Sequence, residues 1–312
     1  MKNAVNWVEA RRDRWRSLDL LLTRGPRTGT EWSELSMGYR VVCSDLADAR
    51  AQGLSDDVLR HLDDLASRGH NALYGARRGN LGRAAFAAVL DGFPRRLRTE
   101  WRFFLLASVL FYGPFVLGAV GAAISPEFGA AVMSDAGLAS LEDSYSDAPS
   151  RNAQENAMMA GFYVNNNVGI AFRCFATGAL AGLGSVFFLV YNGLLIGASF
   201  GHLASVGLLH NLMEFTSGHS AWELTAICVS GAAGLRLGWA ILVTHGRTRT
   251  GSVRAIGPTL FDLVLGTFVM LVFAALIEGF WSASPIPRPV KYGFGVVQWG
   301  LVIAWLWLGG RR

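Results

Sequence analysis

The sequence predicts an all-α polytopic membrane protein, with about six transmembrane helices following a small cytoplasmic helical domain. Three observations carry this. Of the 312 residues, 52% are hydrophobic and only 16% are charged, where a soluble domain carries about a quarter charged residues. The charge is lopsided: 17 of the 28 Lys and Arg and 13 of the 23 Asp and Glu fall in residues 1–100. The remainder, 101–312, consists of long apolar runs separated by short polar flanks. This excludes a soluble enzyme, a disordered chain and a disulfide scaffold, since Cys43, Cys174 and Cys228 are too few and too scattered for a framework or a zinc ribbon. Residues 1–20 are charged and amphipathic, unlike the apolar core of a signal peptide.

In residues 1–100, Val5, Val8, Trp15, Leu18 and Leu22 recur at helical spacing over 4–23, and Gly25-Pro26 ends that helix. A second helix, capped by Thr30 or Ser33, runs to about residue 51 with Leu35, Tyr39, Val42, Leu46 and Ala49 on one stripe. Ser55-Asp56-Asp57 opens a third that runs to about Tyr74. A short amphipathic stretch, 81–93, leads to the basic run 94–98. The arginines are interleaved with acidic residues and form no nucleic-acid-binding motif, so no nucleic-acid partner is expected. A solvated face beside anionic lipid is the expected role. No phosphate-binding glycine loop occurs, and no cofactor is implied.

A span needs about 20 apolar residues. The runs predict spans at about 101–124, 168–190, 192–209, 222–243, 259–281 and 292–308, with a hairpin at Tyr191-Asn192-Gly193 between the second and third. Basic flanks 94–102 and 244–257 belong inside and the acidic loop 125–164 outside, so both termini are cytoplasmic in a bacterial inner membrane. Arg288 and Lys291 alone run against this rule. Gly178-xxx-Gly182, Gly197-xxx-Gly201 and Gly234-xxx-Gly238 predict close helix packing, and a homodimer through any glycine face left open.

Polar groups in spans are functional candidates by default. Asn165, Asn166, His219 and Glu223, with Glu278 as a further member, are expected to form one cluster at the outer side. Arg236 and Asp262 are expected to pair near the inner side. His219 and Glu223, spaced i, i+4, share one helix face, which suits both a hydrogen-bonded pair and two metal ligands. The hydrogen-bonded pair is the favoured reading, because no second histidine stands in the motif and no third ligand is evident; no residue is assigned a catalytic or metal-binding role.

At these positions the chain resembles the stage II sporulation protein M family. That family has an Asn-Asn pair before a span, an Asn-Gly turn, and a Pro-His-Gly-x-x-Glu-Leu segment opening a Gly/Ala-rich span. The matching residues are Asn165-Asn166, Asn192-Gly193, His219 with Glu223-Leu224, and Gly231-Ala232-Ala233-Gly234. Gly218 and Ser220 depart from the pattern, where the family usually has Pro and Gly. Tyr39-Arg40, Asp45-Leu46, Ala49-Arg50, His70-Asn71 and Tyr74 resemble the long, non-sporulation form. The resemblance implies a membrane protein without established catalysis that anchors envelope or peptidoglycan-remodelling partners. By the same resemblance these include peptidoglycan hydrolases, MoxR-type AAA+ ATPases and von Willebrand-type or DUF58 proteins. A scaffold is therefore the expected function. A transporter or channel with a polar intramembrane cavity is the alternative, and an intramembrane metal-dependent hydrolase the second alternative.

Overall fold

The computed structural model describes residues 2–74, 81–146 and 153–311. The chain is helical throughout these residues and divides into two compact units, Met1–Leu81 and Gly82–Arg312.

The first unit holds α1 (Lys2–Arg24), α2 (Gly29–Ala51) and α3 (Asp56–Tyr74). Their apolar stripes meet in one core of Trp15, Leu18, Leu21, Leu35, Val42, Leu46, Ala49, Leu62 and Leu65. Helix α2 starts earlier than the sequence suggests. Thr28, not Thr30 or Ser33, is the cap: its hydroxyl accepts from the Glu31 N–H, and the Glu31 carboxylate accepts from the Thr28 N–H. Asp45 is buried within this core; Trp15 Nε1 donates to it at 2.8 Å and Arg11 Nε at 3.0 Å.

The boundary at residue 100 moves to Leu81/Gly82. Helix α4 (Leu81–Ala87) continues through a π-helical turn, Ala88–Gly92, into α5 (Phe93–Thr99), whose Phe93, Pro94 and Leu97 are buried in the second unit. Phe93 fills the gap beside Gly266 and packs on Trp305 at 5.2 Å. Arg98 donates to the Leu306 and Gly309 carbonyls, which tethers the chain end to α5. Basic composition had marked this stretch as soluble, but Phe93, Pro94 and Leu97 are core.

The second unit continues with α6 (Trp101–Ile124), α7 (Pro126–Met133), α8 (Asp135–Ser146), α9 (Ala153–Ala176) and α10 (Leu183–Ser205). After these come α11 (Leu209–Thr216), α12 (Ser220–Leu242), α13 (Arg249–Leu276) and α14 (Arg288–Leu308). A π-helical turn, Ile277–Ser282, prolongs α13. Four helical stretches among the described residues are long and apolar enough to cross a membrane: Trp101–Ile124, Leu183–Ser205, Ser220–Leu242 and Arg249–Ser282. Helix α9 is diluted by Asn165, Asn166, Asn167 and Arg173, and α14 by Lys291 and Gln298.

The expected hairpin at Asn192-Gly193 does not exist. Both residues lie inside α10, where the Asn192 side-chain amide donates to the Phe188 carbonyl one turn back at 2.7 Å, so the helix absorbs its polarity. The turn lies at 177–182 instead: a single 3₁₀ turn, Thr177–Ala179, then Ala181 and Gly182 with φ of +53° and +87°. Glycine at 182 meets that left-handed backbone without a Cβ clash.

Gly193 belongs to a ladder. A Cβ on Gly193, Gly197 or Gly201 would overlap the Phe111, Phe115 and Ala119 carbonyl oxygens respectively, and one on Gly118 would overlap the Leu194 carbonyl. Residue numbers rise together along this contact, so α6 and α10 run parallel in near backbone contact. A second close approach joins the α9–α10 turn to α12: Gly178 abuts Gly234, and Gly182 abuts Gly238. The six glycines expected to pack are thus engaged within one chain, which leaves none of them to argue for a dimer. Helix α12 is the most buried of the four apolar stretches, its core residues including Ala226, Val229, Ala233 and Leu237.

The expected Arg236–Asp262 pair is replaced by two others. Arg236 bonds both Glu100 carboxylate oxygens at 3.1 Å, and Asp262 bonds Arg96 at 3.2 Å. Arg96 lies on α5, Glu100 between α5 and α6, Arg236 near the end of α12 and Asp262 on α13, so the two pairs join these helices.

Candidate polar site in the membrane unit

At the other end of α12 the chain turns through Ser217-Gly218 to His219, which stands just before the first residue of that helix. Gly218 faces Trp281, Ile277 and Phe294 at ordinary to tight contact, so the turn has little spare room. Glu223 follows one turn into α12, on the face of His219. Opposite them, the π-helical turn of Ile277–Ser282 carries Glu278 and Ser282, both buried. Widening a helix by one residue per turn re-aims its side chains, and such turns recur at functional sites.

Three groups converge here. His219, Glu223 and Glu278 each offer one nitrogen or carboxylate oxygen, and these atoms all lie within 4.8 Å of one another. His219 is only 3% exposed. Its Nδ1 meets Ser282 Oγ at 3.1 Å, and its Nε2 lies 3.7 Å from Glu223 Oε2. The Phe215 ring packs edge-on against the imidazole at 5.6 Å. Such a convergence of two buried ionisable groups with the half-buried Glu223 can bind a cation or hold a proton.

Ser282 leads outward to a charged neighbour. Its carbonyl accepts from Lys291 Nζ at 2.9 Å, and Lys291 is 3% exposed. Lys291 also reaches Glu214 at 3.1 Å, and Arg288 reaches the other Glu214 oxygen at 2.7 Å. The two cations that broke the inside-positive pattern therefore share one carboxylate from α11. Burial works to raise the Glu214 carboxyl, but the hydrogen bonds and charges of Arg288 and Lys291 outweigh it and leave the group below its ordinary value. That lowered value contributes stability above the unfolded-state value, about 4.3, which fades as the pH falls through the folded one. Melting curves taken below about pH 4.3 should thus show the wild type losing its advantage over Glu214→Gln. A constant gap between the two at all pH values would contradict this.

The structure unites only part of the expected cluster. Asn165 and Asn166 are exposed on α9, and it is Asn167 that turns inward, at 7% exposure. The sequence places the three asparagines before a span; they lie in the middle of α9, and helical geometry alone decides which one faces the bundle. Ser282 and Lys291 were missed. A signal for Ser282 existed, since it follows Glu278 by four residues in a helical run. The His202–Glu142 contact at 2.7 Å, between α10 and α8, was also unforeseen, because Glu142 read as one of many loop acids.

A family model described as Stage II sporulation protein M matches residues 104–283. The chain belongs to the stage II sporulation protein M family. The matched segment contains His219, Glu223, Glu278 and Ser282, so the whole converged site lies in the family's own part of the chain. A second model, a domain of unknown function designated DUF8413, matches residues 5–75 and so covers the three-helix unit. No curated protein and no solved structure matched the chain.

Proposed function

We propose that this stage II sporulation protein M family member is a membrane scaffold that holds a cytoplasmic three-helix module against the inner membrane and positions envelope-remodelling partners there. The observation that carries this reading is the division of the chain. The module of α1 to α3 has its own core, and the membrane unit has separate cores. A protein whose only task was in the bilayer would not need the module.

In this reading α6, α9, α10, α12, α13 and α14 all cross the membrane. The parallel run of α6 and α10 supports it, because two parallel spans require a crossing between them and α9 supplies it. Both termini are then cytoplasmic and α7 and α8 lie outside, in keeping with the basic flanks at 94–102 and 244–257. Asn165 and Asn166 stand exposed on α9, and polar side chains facing lipid are costly unless covered, which supports a protein partner against that face.

MoxR-type AAA+ ATPases and von Willebrand-type or DUF58 proteins are the partner classes proposed for the cytoplasmic module, and peptidoglycan hydrolases for the outer side. Membranes from cells expressing the full chain should retain a co-expressed MoxR-type ATPase. A chain lacking residues 2–81 should insert normally and release the ATPase to the soluble fraction. Equal retention by both chains would remove the basis for the module's role.

A further inference from the structure

We propose that His219, Glu223 and Glu278 bind one divalent transition-metal ion of the zinc type in the membrane unit. The inference does not rest on the scaffold reading and stands or falls separately from it.

The donor set is the first argument. One imidazole and two carboxylates are the ligand chemistry of zinc and its neighbours, whereas magnesium and calcium take oxygen alone. Three protein ligands are also what an open zinc site keeps, with water in the remaining position.

Spacing is the second argument. The 3.7 Å from His219 Nε2 to Glu223 Oε2 exceeds a hydrogen bond. Two donors around one tetrahedral zinc at about 2.0–2.2 Å from it stand roughly 3.4 Å apart. The pair is thus already near chelating distance, with Glu278 closing the triangle inside 4.8 Å. The i, i+4 placement across the start of α12 keeps the first two ligands in register, and the π-helical turn delivers the third from a different helix.

Orientation is the third. Metal-bound histidines give their other ring nitrogen to a hydrogen-bond partner, which fixes the tautomer. Ser282 Oγ occupies that position, 3.1 Å from Nδ1. With Nδ1–H donating to Ser282, the Nε2 lone pair faces the Glu223 carboxylate, an arrangement that repels unless a cation or proton lies between them.

The test uses the full chain purified in detergent, stripped with chelator and titrated with zinc chloride. Bound zinc is measured per chain after gel filtration, alongside the melting temperature. Wild type should retain about one zinc and melt higher with it. Glu223→Gln and Glu278→Gln, which keep the side-chain volume, should elute normally and bind more than about 100-fold more weakly, beyond the usual cost of losing an outer partner. Ser282→Ala, a change to the positioning residue, should weaken binding about tenfold. If one amide variant fails to fold, the other and Ser282→Ala carry the comparison. A folded wild type that retains no zinc would overturn the proposal. So would variants that retain as much zinc as wild type, since the metal would then sit elsewhere.

Discussion

Gly197→Leu should abolish accumulation of folded protein in the membrane, whereas Gly113→Leu should leave it nearly unchanged. A Cβ at Gly197 would overlap the Phe115 carbonyl of α6, and backbone cannot move aside as a flexible side chain can. Parting α6 from α10 by the width of a leucine also breaks the Gly193, Gly201 and Gly118 contacts, which share the same seam. In lipid, close packing and not water exclusion holds helices together, so little compensates for the lost contact. The cost is at least the upper end of a single overpacking change, about 3 kcal/mol. Gly113 lies on α6, the other helix of this seam, and is exposed with nothing within 4 Å of a Cβ, so it separates the seam from any general effect of a leucine in these two helices. Yield by gel filtration and thermal midpoint report the difference. Equal behaviour of the two variants would refute the seam.

Asp45→Ala should unfold the three-helix unit while the membrane unit stays intact. Asp45 is 5% exposed and is the acceptor for both Trp15 Nε1 and Arg11 Nε. Removing it leaves a buried indole N–H without its partner and a cation beside the core, a loss of about 3 kcal/mol for a broken buried pair. Small helical units hold little stability in reserve. Limited proteolysis of the full chain should therefore cut within residues 2–74 of the variant while the wild-type unit resists, with the fragment 82–312 preserved. Asp45→Asn, which retains one acceptor oxygen for Trp15, should fall between the two. Cleavage indistinguishable from wild type in Asp45→Ala would show that the pair does not hold the unit together.

What sequence could show and what it could not follow from range. Periodicity located α1 to α3 because each buries one stripe, as Leu35, Val42 and Leu46 do in α2. Hydropathy located α6 and α12 because their flanks are sharply polar. It failed between α9 and α10, where apolar residues run through the turn and the only obvious punctuation, Asn192-Gly193, is a packing position. Glycine serves a turn and a close contact through the same missing Cβ, so its sequence context cannot separate the two. His219 and Glu223 were legible as a pair since their spacing is local. Glu278 was legible only as a group at similar depth, and its approach to His219 depends on the widened helical turn at 277–282. Asn165 and Asn166 matched the family pattern, but which of three consecutive asparagines faces the bundle is a matter of 100° of helix rotation. Arg96, Arg98 and Glu100 looked like a soluble basic flank because their partners, Asp262, Leu306, Gly309 and Arg236, lie more than a hundred residues away.

The proposed scaffold keeps its three-helix module inside the cell and α7 and α8 outside. Reporter fusions test it most directly, with alkaline phosphatase, active only outside the cytoplasm, joined after Ser146 in one chain and after Gly310 in another. The Ser146 fusion should show strong phosphatase activity and the Gly310 fusion none. An inactive Ser146 fusion that accumulates normally, or an active Gly310 fusion, would contradict it.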